Sequence, residues 1–289
     1  MVISQYEILR KVVELGNITM AAKKLNLTQP AVSHSIKNLE AELNIQLLIR
    51  GRSGARLTSD GETLYPYMLD LLNSMETLHQ EAAFLNDLKK GTIRVGIFTS
   101  VSTYLLPKVL KTMEENYPDI TIQLFTGSFD DIQKWIKTGE VDCGFIVLPN
   151  TNFRTFNLFN DRLLLVVHKH SPLTQFNEVS LDQIESYPFI MPKAGCERLI
   201  EDLFKEANVS PTIKYEIDDN HSILSMIKNN IGLSIIPEIA LPSQMDGIKA
   251  IAFKGNCLRE IGLAVNTERK VSSALSAFIQ ITDSVVQDV

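Results

Sequence analysis

The chain has 289 residues, enough for about two domains at roughly 150 residues each, and its 45% apolar and 21% charged content suits a globular protein with a sizeable core. That balance excludes collagen-like, low-complexity and wholly disordered classes; no apolar run nears the ~20 residues of a membrane span, no signal pattern opens the chain, and three scattered cysteines (Cys143, Cys196, Cys257) exclude a disulfide framework, so a soluble, cytoplasmic protein is expected. The net charge of −6 is uneven: residues 1–59 carry eight basic and four acidic side chains, net +4, leaving −10 on the remainder, which suits a head that meets a polyanion.

Ile3, Tyr6, Leu9 and Val13 recur at helical spacing, Val12 widens the stripe, and Gly16 is placed to end that helix. Thr19 is the expected N-cap of a short second helix over 20–25, in which Ala21 and Ala22 allow close packing. Asn26 and Leu27 make a tight connection, Thr28 caps a third helix, and Pro30 lies in its first turn, where a missing N–H costs little. Ala31, Val32, Ile36, Leu39 and Leu43 form an apolar face; Gln29, Ser33, His34 and Lys37 form the polar one. Two helices joined by a short turn, the second polar outside, describe a helix-turn-helix whose second helix enters a major groove. Gln29 can pair with adenine through two bonds, Ser33 can donate or accept, His34 can donate to a purine or a phosphate, and Lys37 suits a phosphate. The competing reading is an ordinary surface helix of a small bundle. The glycine-rich run over 49–58 follows, and its Arg50, Arg52 and Arg56 suit a two-stranded wing along the DNA backbone; a solvated loop is the alternative.

Leu64, Met68, Leu71, Met75, Leu78, Ala82 and Leu85 alternate steps of four and three, a heptad seam that wants a partner helix unless it packs on its own domain. Pro66 is expected to bend this helix, and residues 86–91 to end it and begin a hinge. Beyond it, strands are predicted over 92–98, 120–125, 141–148, 163–168, 189–191, 233–236 and 261–265. Helices are predicted over 105–117, 132–138, 199–207, 223–229 and 272–286. Such alternation implies a parallel sheet with helices on both faces.

The run Ala21, Ala22, Leu25, then Thr28, Gln29, Pro30, Ala31, Val32, Ser33, then Leu39, Glu40, Leu47, Leu48, Ile49, Arg50, Leu57, Thr58 and Gly61 resembles the N-terminal signature of LysR-type transcriptional regulators. Two departures are His34, where the family often has arginine or glutamine, and Leu48, where phenylalanine is common. Ile93-Arg94-Val95-Gly96, Gly144-Phe145, Ser171-Pro172-Leu173 and Gly232-Leu233 with Pro237 are similar to the family's effector domain, itself like periplasmic binding proteins. Asn230 stands where the family usually has a helix-ending glycine, and asparagine tolerates the left-handed conformation needed there. The resemblance implies an all-α winged helix-turn-helix over 1–58, a linker and dimerisation helix over 59–88, and an α/β effector domain over 91–289. Its first subdomain would hold 91–161 and 266–289, and its second 162–265. It also implies an antiparallel pairing of linker helices, a homodimer or tetramer, a palindromic DNA site, RNA polymerase as a partner, and a small-molecule effector between the subdomains, with no cofactor and no membrane.

Ligands of open α/β sheets lie beyond the carboxyl ends of strands. Thr99, Ser100 and Ser102 follow the first strand, and Thr126, Gly127 and Ser128 the second; hydroxyls before helices suit an anion or simply cap those helices. Lys193, Cys196 and His221 are placed across the cleft. Ile146, Val147 and Leu148 stand where many family members have a polar or basic ligand contact, so an arginine clamp from that strand is missing and the effector stays open. Two rivals remain: a redox sensor switched at Cys196, whose pKa Lys193 could lower, and a metal enzyme using His168 and His170. No P-loop, nucleophile elbow or dinucleotide fingerprint supports an enzyme, and the basic head argues against a stand-alone solute-binding protein.

Overall fold

The computed structural model describes residues 4–51, 54–85, 89–193 and 195–287. The chain forms two compact units, the first comprising residues 1–87 with the short segment 138–140 and the second the remainder. In chain order the first holds α1 (Gln5–Leu15), α2 (Ile18–Lys24), α3 (Gln29–Leu43), β1 (Leu48–Gly51), β2 (Gly54–Leu57) and α4 (Ser59–Leu85). Ser4 opens α1 with a reciprocal cap to Glu7, and Gly16, at φ +61°, ends it. The N-cap of α2 is Asn17, not Thr19: its Oδ1 accepts from the Thr19 and Met20 N–H groups at 2.8 and 3.0 Å. One side chain thereby satisfies two orphan donors and starts the helix two residues early. Thr28 caps α3 as expected, its Oγ1 accepting from the Ala31 N–H at 3.3 Å.

Val12, Ala21, Val32, Ile36, Leu39, Leu47 and Leu48 are fully enclosed in the head's core, and Leu64 and Met68 of α4 pack onto it. Further along α4 the expected seam lies open, with Leu71, Met75, Leu78 and Leu85 exposed. The helix runs continuously through Pro66 for 27 residues. Of the expected hinge, residues 86–88 lie outside the described residues.

The second unit holds β3 (Gly91–Ile97), α5 (Thr99–Tyr104), α6 (Leu106–Asn116), β4 (Ile120–Thr126), α7 (Phe129–Thr138), β5 (Cys143–Leu148), β6 (Arg154–His168), β7 (Glu178–Val179), β8 (Pro188–Pro192), α8 (Glu197–Glu206), β9 (Thr212–Ile217), α9 (Asn220–Lys228), β10 (Ser234–Pro237), β11 (Ile248–Phe253), β12 (Leu258–Val265) and α10 (Ser273–Gln287). A continuous path of strands runs β4-β3-β5-β12-β6-β11-β7, with β10 also on β6 and β8 paired to β9. The sheet is mixed, which corrects the expected parallel one. β3 lies parallel to β4 and β5, but β12 is antiparallel to β5 and β6, as β10 and β11 are to β6.

The cause is the 15-residue β6, whose first half borders β12 and whose second half borders β10 and β11. It therefore passes from one subdomain to the other, and β12 returns beside it. Residues 260–265, expected with the second subdomain, pair with β5, expected in the first, as well as with β6. Asn230, just past α9, is left-handed at φ +58°, as anticipated.

Gly54 fixes the wing against the head. Its φ is +119°, a Cβ built on it would lie 2.3 Å from the Gly16 carbonyl oxygen, and the neighbouring Ala55 N–H donates to that oxygen at 2.7 Å. Gly54→Ala adds both strain and a backbone clash, so it should lower the head's stability by about 1–3 kcal/mol, read as an earlier transition in chemical denaturation. An unchanged transition would show that the wing yields freely.

Candidate DNA interface and ligand junction

Helix α3 buries Val32, Ile36 and Leu39 and leaves Thr28, Gln29, Pro30, His34 and Lys37 exposed, with Ser33 half-buried beside them. The 3.6-residue period produces this division, and it turns the polar set predicted for base and phosphate contact outward together. The Asn38 amide donates to Nδ1 of His34 at 3.0 Å. Arg56 is exposed on β2, opposite Ile49. Arg50 is engaged: it donates to Ser33 Oγ and to Glu40 Oε2, each at 3.0 Å. Arg52 lies outside the described residues.

In the second unit, Asp161 on β6 and Arg259 on β12 stand directly opposite in the strand register. Arg259 is 2% exposed. Its Nε donates to Asp161 Oδ2 at 2.8 Å, its second terminal nitrogen reaches the same oxygen at 2.7 Å and Ser100 Oγ at 2.8 Å, and its first donates to Cys196 Sγ at 3.3 Å. The other Asp161 oxygen accepts from the Ile239 N–H at 3.2 Å. The guanidinium also lies over the Phe98 ring, 5.4 Å from its centroid, and Phe98 meets Phe129 edge-on at 4.8 Å. Burial pushes the Asp161 carboxyl above its ordinary range, and Arg259 partly offsets that. One cation thus gathers the start of α5, the start of α8, and the strands β6 and β12.

Residues 3–62 match the model of the bacterial regulatory helix-turn-helix proteins of the lysR family, and residues 86–286 match the LysR substrate binding domain. The chain belongs to the LysR family of transcriptional regulators. It is 30% identical over 282 residues to the HTH-type transcriptional regulator YoaU of Bacillus subtilis, covering 96% of each chain. It resembles full-length CbnR in complex with its target DNA at TM-score 0.67 and 22% identity, covering 99% and 100% of the two chains. The effector binding domain of QuiR in complex with shikimate covers 69% of this chain and 98% of its own, at TM-score 0.62 and 21% identity. No helix among the described residues is long and apolar enough to cross a membrane.

Against that family frame, the predicted ligand residues divide. Ser100 is buried in the junction, and Cys196 touches the same guanidinium. Thr99, Ser100 and Ser102 lie inside the short α5 rather than before a helix, and Ser102 donates back to the Thr99 carbonyl at 2.7 Å. The Gly127 N–H donates to the Ile97 carbonyl at 3.1 Å, which sets the 126–128 loop beside the start of α5. Ser128 is spent on capping, exchanging hydrogen bonds with Asp131. Lys193 pairs with Glu197 and Glu216, and His221 is exposed on α9. Asp161, Arg259 and Phe98 were not singled out from sequence. The opposed order of charge in Asp161-Arg162 and Arg259-Glu260 is the signal that could have found the pair.

Neither rival chemistry gains from the geometry. The Lys193 amino group is taken up by carboxylates, and burial pushes the Cys196 thiol above its ordinary pKa while Arg259 partly opposes the shift, so the thiol stays protonated near neutral pH. The His168 and His170 rings lie 5.4 Å apart, tilted at 58° to each other, and Nδ1 of His168 accepts from the His170 backbone N–H at 3.3 Å. Among the described residues no three His, Cys, Asp or Glu groups converge to hold a metal ion.

Two outcomes follow from this geometry. Asp161→Ala strands a buried guanidinium and should cost about 3–5 kcal/mol, whereas Asp161→Leu combined with Arg259→Met should cost much less. Denaturation followed through the single tryptophan, Trp135, measures both, and equal costs would refute the ion-pair account. Iodoacetamide should label half-buried Cys257 well before Cys196, with Cys196 reacting on unfolding; equal rates in the folded protein would show Cys196 to be accessible.

Proposed function

We propose that this LysR-family chain is a cytoplasmic regulator that binds palindromic operator DNA as a dimer or tetramer and changes that binding when a small anionic ligand enters the junction. Its role is regulatory rather than catalytic, it needs no resident cofactor, and RNA polymerase is the partner through which it acts. The outward polar face of α3 beside an arginine-bearing wing is the observation that carries the reading. Thr28, Gln29, Pro30, Ser33, His34, Lys37 and Arg56 contact DNA, Gln29 through base edges and Lys37 and Arg56 through phosphates. The exposed stripe of Leu71, Met75, Leu78 and Leu85 supports pairing through α4, and two heads related by a two-fold axis ask for two half-sites.

The ligand site takes in Ser100 and Arg259, flanked by Thr99, Thr126 and Gly127. With Asp161 meeting most of its charge, the guanidinium offers the ligand its nitrogen at Cys196 Sγ, and that N–H together with the Ser100 hydroxyl can donate to a carboxylate or comparable oxygen acceptor. Arg259 bonds to groups of both subdomains, so a ligand that competes for it favours a different separation of the two, and the equilibrium moves by the ligand's differential affinity.

The test is capture of fragmented genomic DNA from the source organism by the purified full chain at two salt concentrations. A few palindromic sites should survive the higher salt. Ser100→Ala should capture the same sites while losing response to metabolites of the neighbouring genes. Uniform loss of all DNA with salt would overturn specific recognition, and a retained response in Ser100→Ala would overturn the ligand site.

A further inference from the structure

Arg50 differs from Arg56, the other described arginine of the wing, in how its charge is used. Its fork bridges Glu40 Oε2 and Ser33 Oγ. The second Glu40 oxygen accepts from the Leu47 and Leu48 N–H groups at 2.9 and 3.1 Å, so the carboxylate is anchored to the backbone that leads into the wing. A guanidinium paired in this way offers little net charge to a phosphate. It does determine what Ser33 can do. A guanidinium only donates, so Ser33 Oγ accepts from it, and the hydroxyl hydrogen is turned away from the cation. His34 is constrained similarly. The Asn38 amide nitrogen lies 3.0 Å from its Nδ1, which holds the ring against its own helix.

We infer that Arg50 is a positioning residue for base recognition, and that it makes Ser33 a hydrogen-bond donor which reads an acceptor edge in the major groove. Guanine, with acceptors at both N7 and O6, offers such a donor two partners. Cytosine, whose major-groove edge presents an amino donor, is disfavoured at the same place. This inference rests on the proposed insertion of α3 into the major groove.

The experiment is selection from a randomised duplex pool by the full-length protein and by Arg50→Ala, Arg50→Lys and Ser33→Ala, each first checked for a native thermal transition. The wild type should enrich guanine at one position of each half-site. Ser33→Ala and Arg50→Ala should both relax that same position, with a loss of about tenfold in discrimination against cytosine. Lysine keeps the charge but cannot fork between Ser33 and Glu40, so Arg50→Lys should relax the position too. On the wild-type winning sequence, the slope of log affinity against log salt should be nearly the same for Arg50→Ala as for the wild type. A slope smaller by about one with an unaltered base preference would make Arg50 a phosphate contact and overturn the inference. So would full rescue by lysine, or an unchanged preference in Ser33→Ala, which leaves the Arg50–Glu40 pair in place. Failure of the wild type to enrich any sequence would instead overturn the DNA reading itself, before any variant is compared.

Discussion

Arg259 carries a full positive charge where solvent scarcely reaches, and that charge restricts how the second unit can be assembled. A buried guanidinium without a partner is several kcal/mol too costly for a marginally stable protein. β12 must therefore run beside β6 in the register that sets Asp161 opposite. A slip of one residue would bring Arg162, a like charge, or Asn160 opposite Arg259, and would turn every side chain of the strand to the other face. These two strands are also the ones that join the subdomains. The ion pair thus fixes the register of β6, which borders β12 along its first half and β10 and β11 along its second.

The head contains the same chemistry in a wetter place. Arg50 and Glu40 make an ion pair through one guanidinium nitrogen, yet both are partly exposed, where such a pair contributes about 1 kcal/mol or less. Its value lies in geometry. Glu40 accepts two backbone N–H groups from the segment entering β1 while its other oxygen holds Arg50, so the wing and α3 are referred to one carboxylate. In the junction the low dielectric makes the pair costly to break, and it acts as a structural lock. At the DNA face the pair is cheap, and it acts on the hydrogen-bonding state of a neighbouring hydroxyl.

The parts legible in the sequence are those governed by local rules. Gly16, Thr28 and Asn230 each took the backbone or capping role read from residue type, and the polar and apolar faces of α3 followed from period alone. Where two neighbours competed for one role, as Asn17 and Thr19 did, hydrogen-bonding reach decided, and that is a three-dimensional quantity. The first half of β6 was missed because its polar residues, among them Asn157, Asn160 and Asp161, hide the strand in any hydrophobic pattern. The mixed sheet was missed for a related reason, since alternation of strand and helix cannot reveal which strand returns antiparallel. Ser100 was selected as a hydroxyl at a strand end, but Arg259 lies 159 residues away in sequence and reaches it because β12 folds back beside β6.

That long-range contact bears on how a ligand can alter the fold at modest cost. Of the groups around Arg259, Cys196 Sγ is the poorest acceptor, while Asp161 carries the opposite charge and bonds through two nitrogens. A ligand oxygen that reaches Ser100 therefore has an exchange open to it: it can replace the thiol at the guanidinium and leave the Asp161 pair intact. The sulfur given up begins α8 of the second subdomain, whereas Ser100 belongs to α5 of the first. Such an exchange loosens one tie between the subdomains without stranding the buried charge. A net difference of only 1.4 kcal/mol in the exchange shifts the balance of two cleft geometries tenfold. On the proposed ligand reading, the buried pair would make such a small change count, because a charge held on one side by Asp161 could not follow the ligand freely.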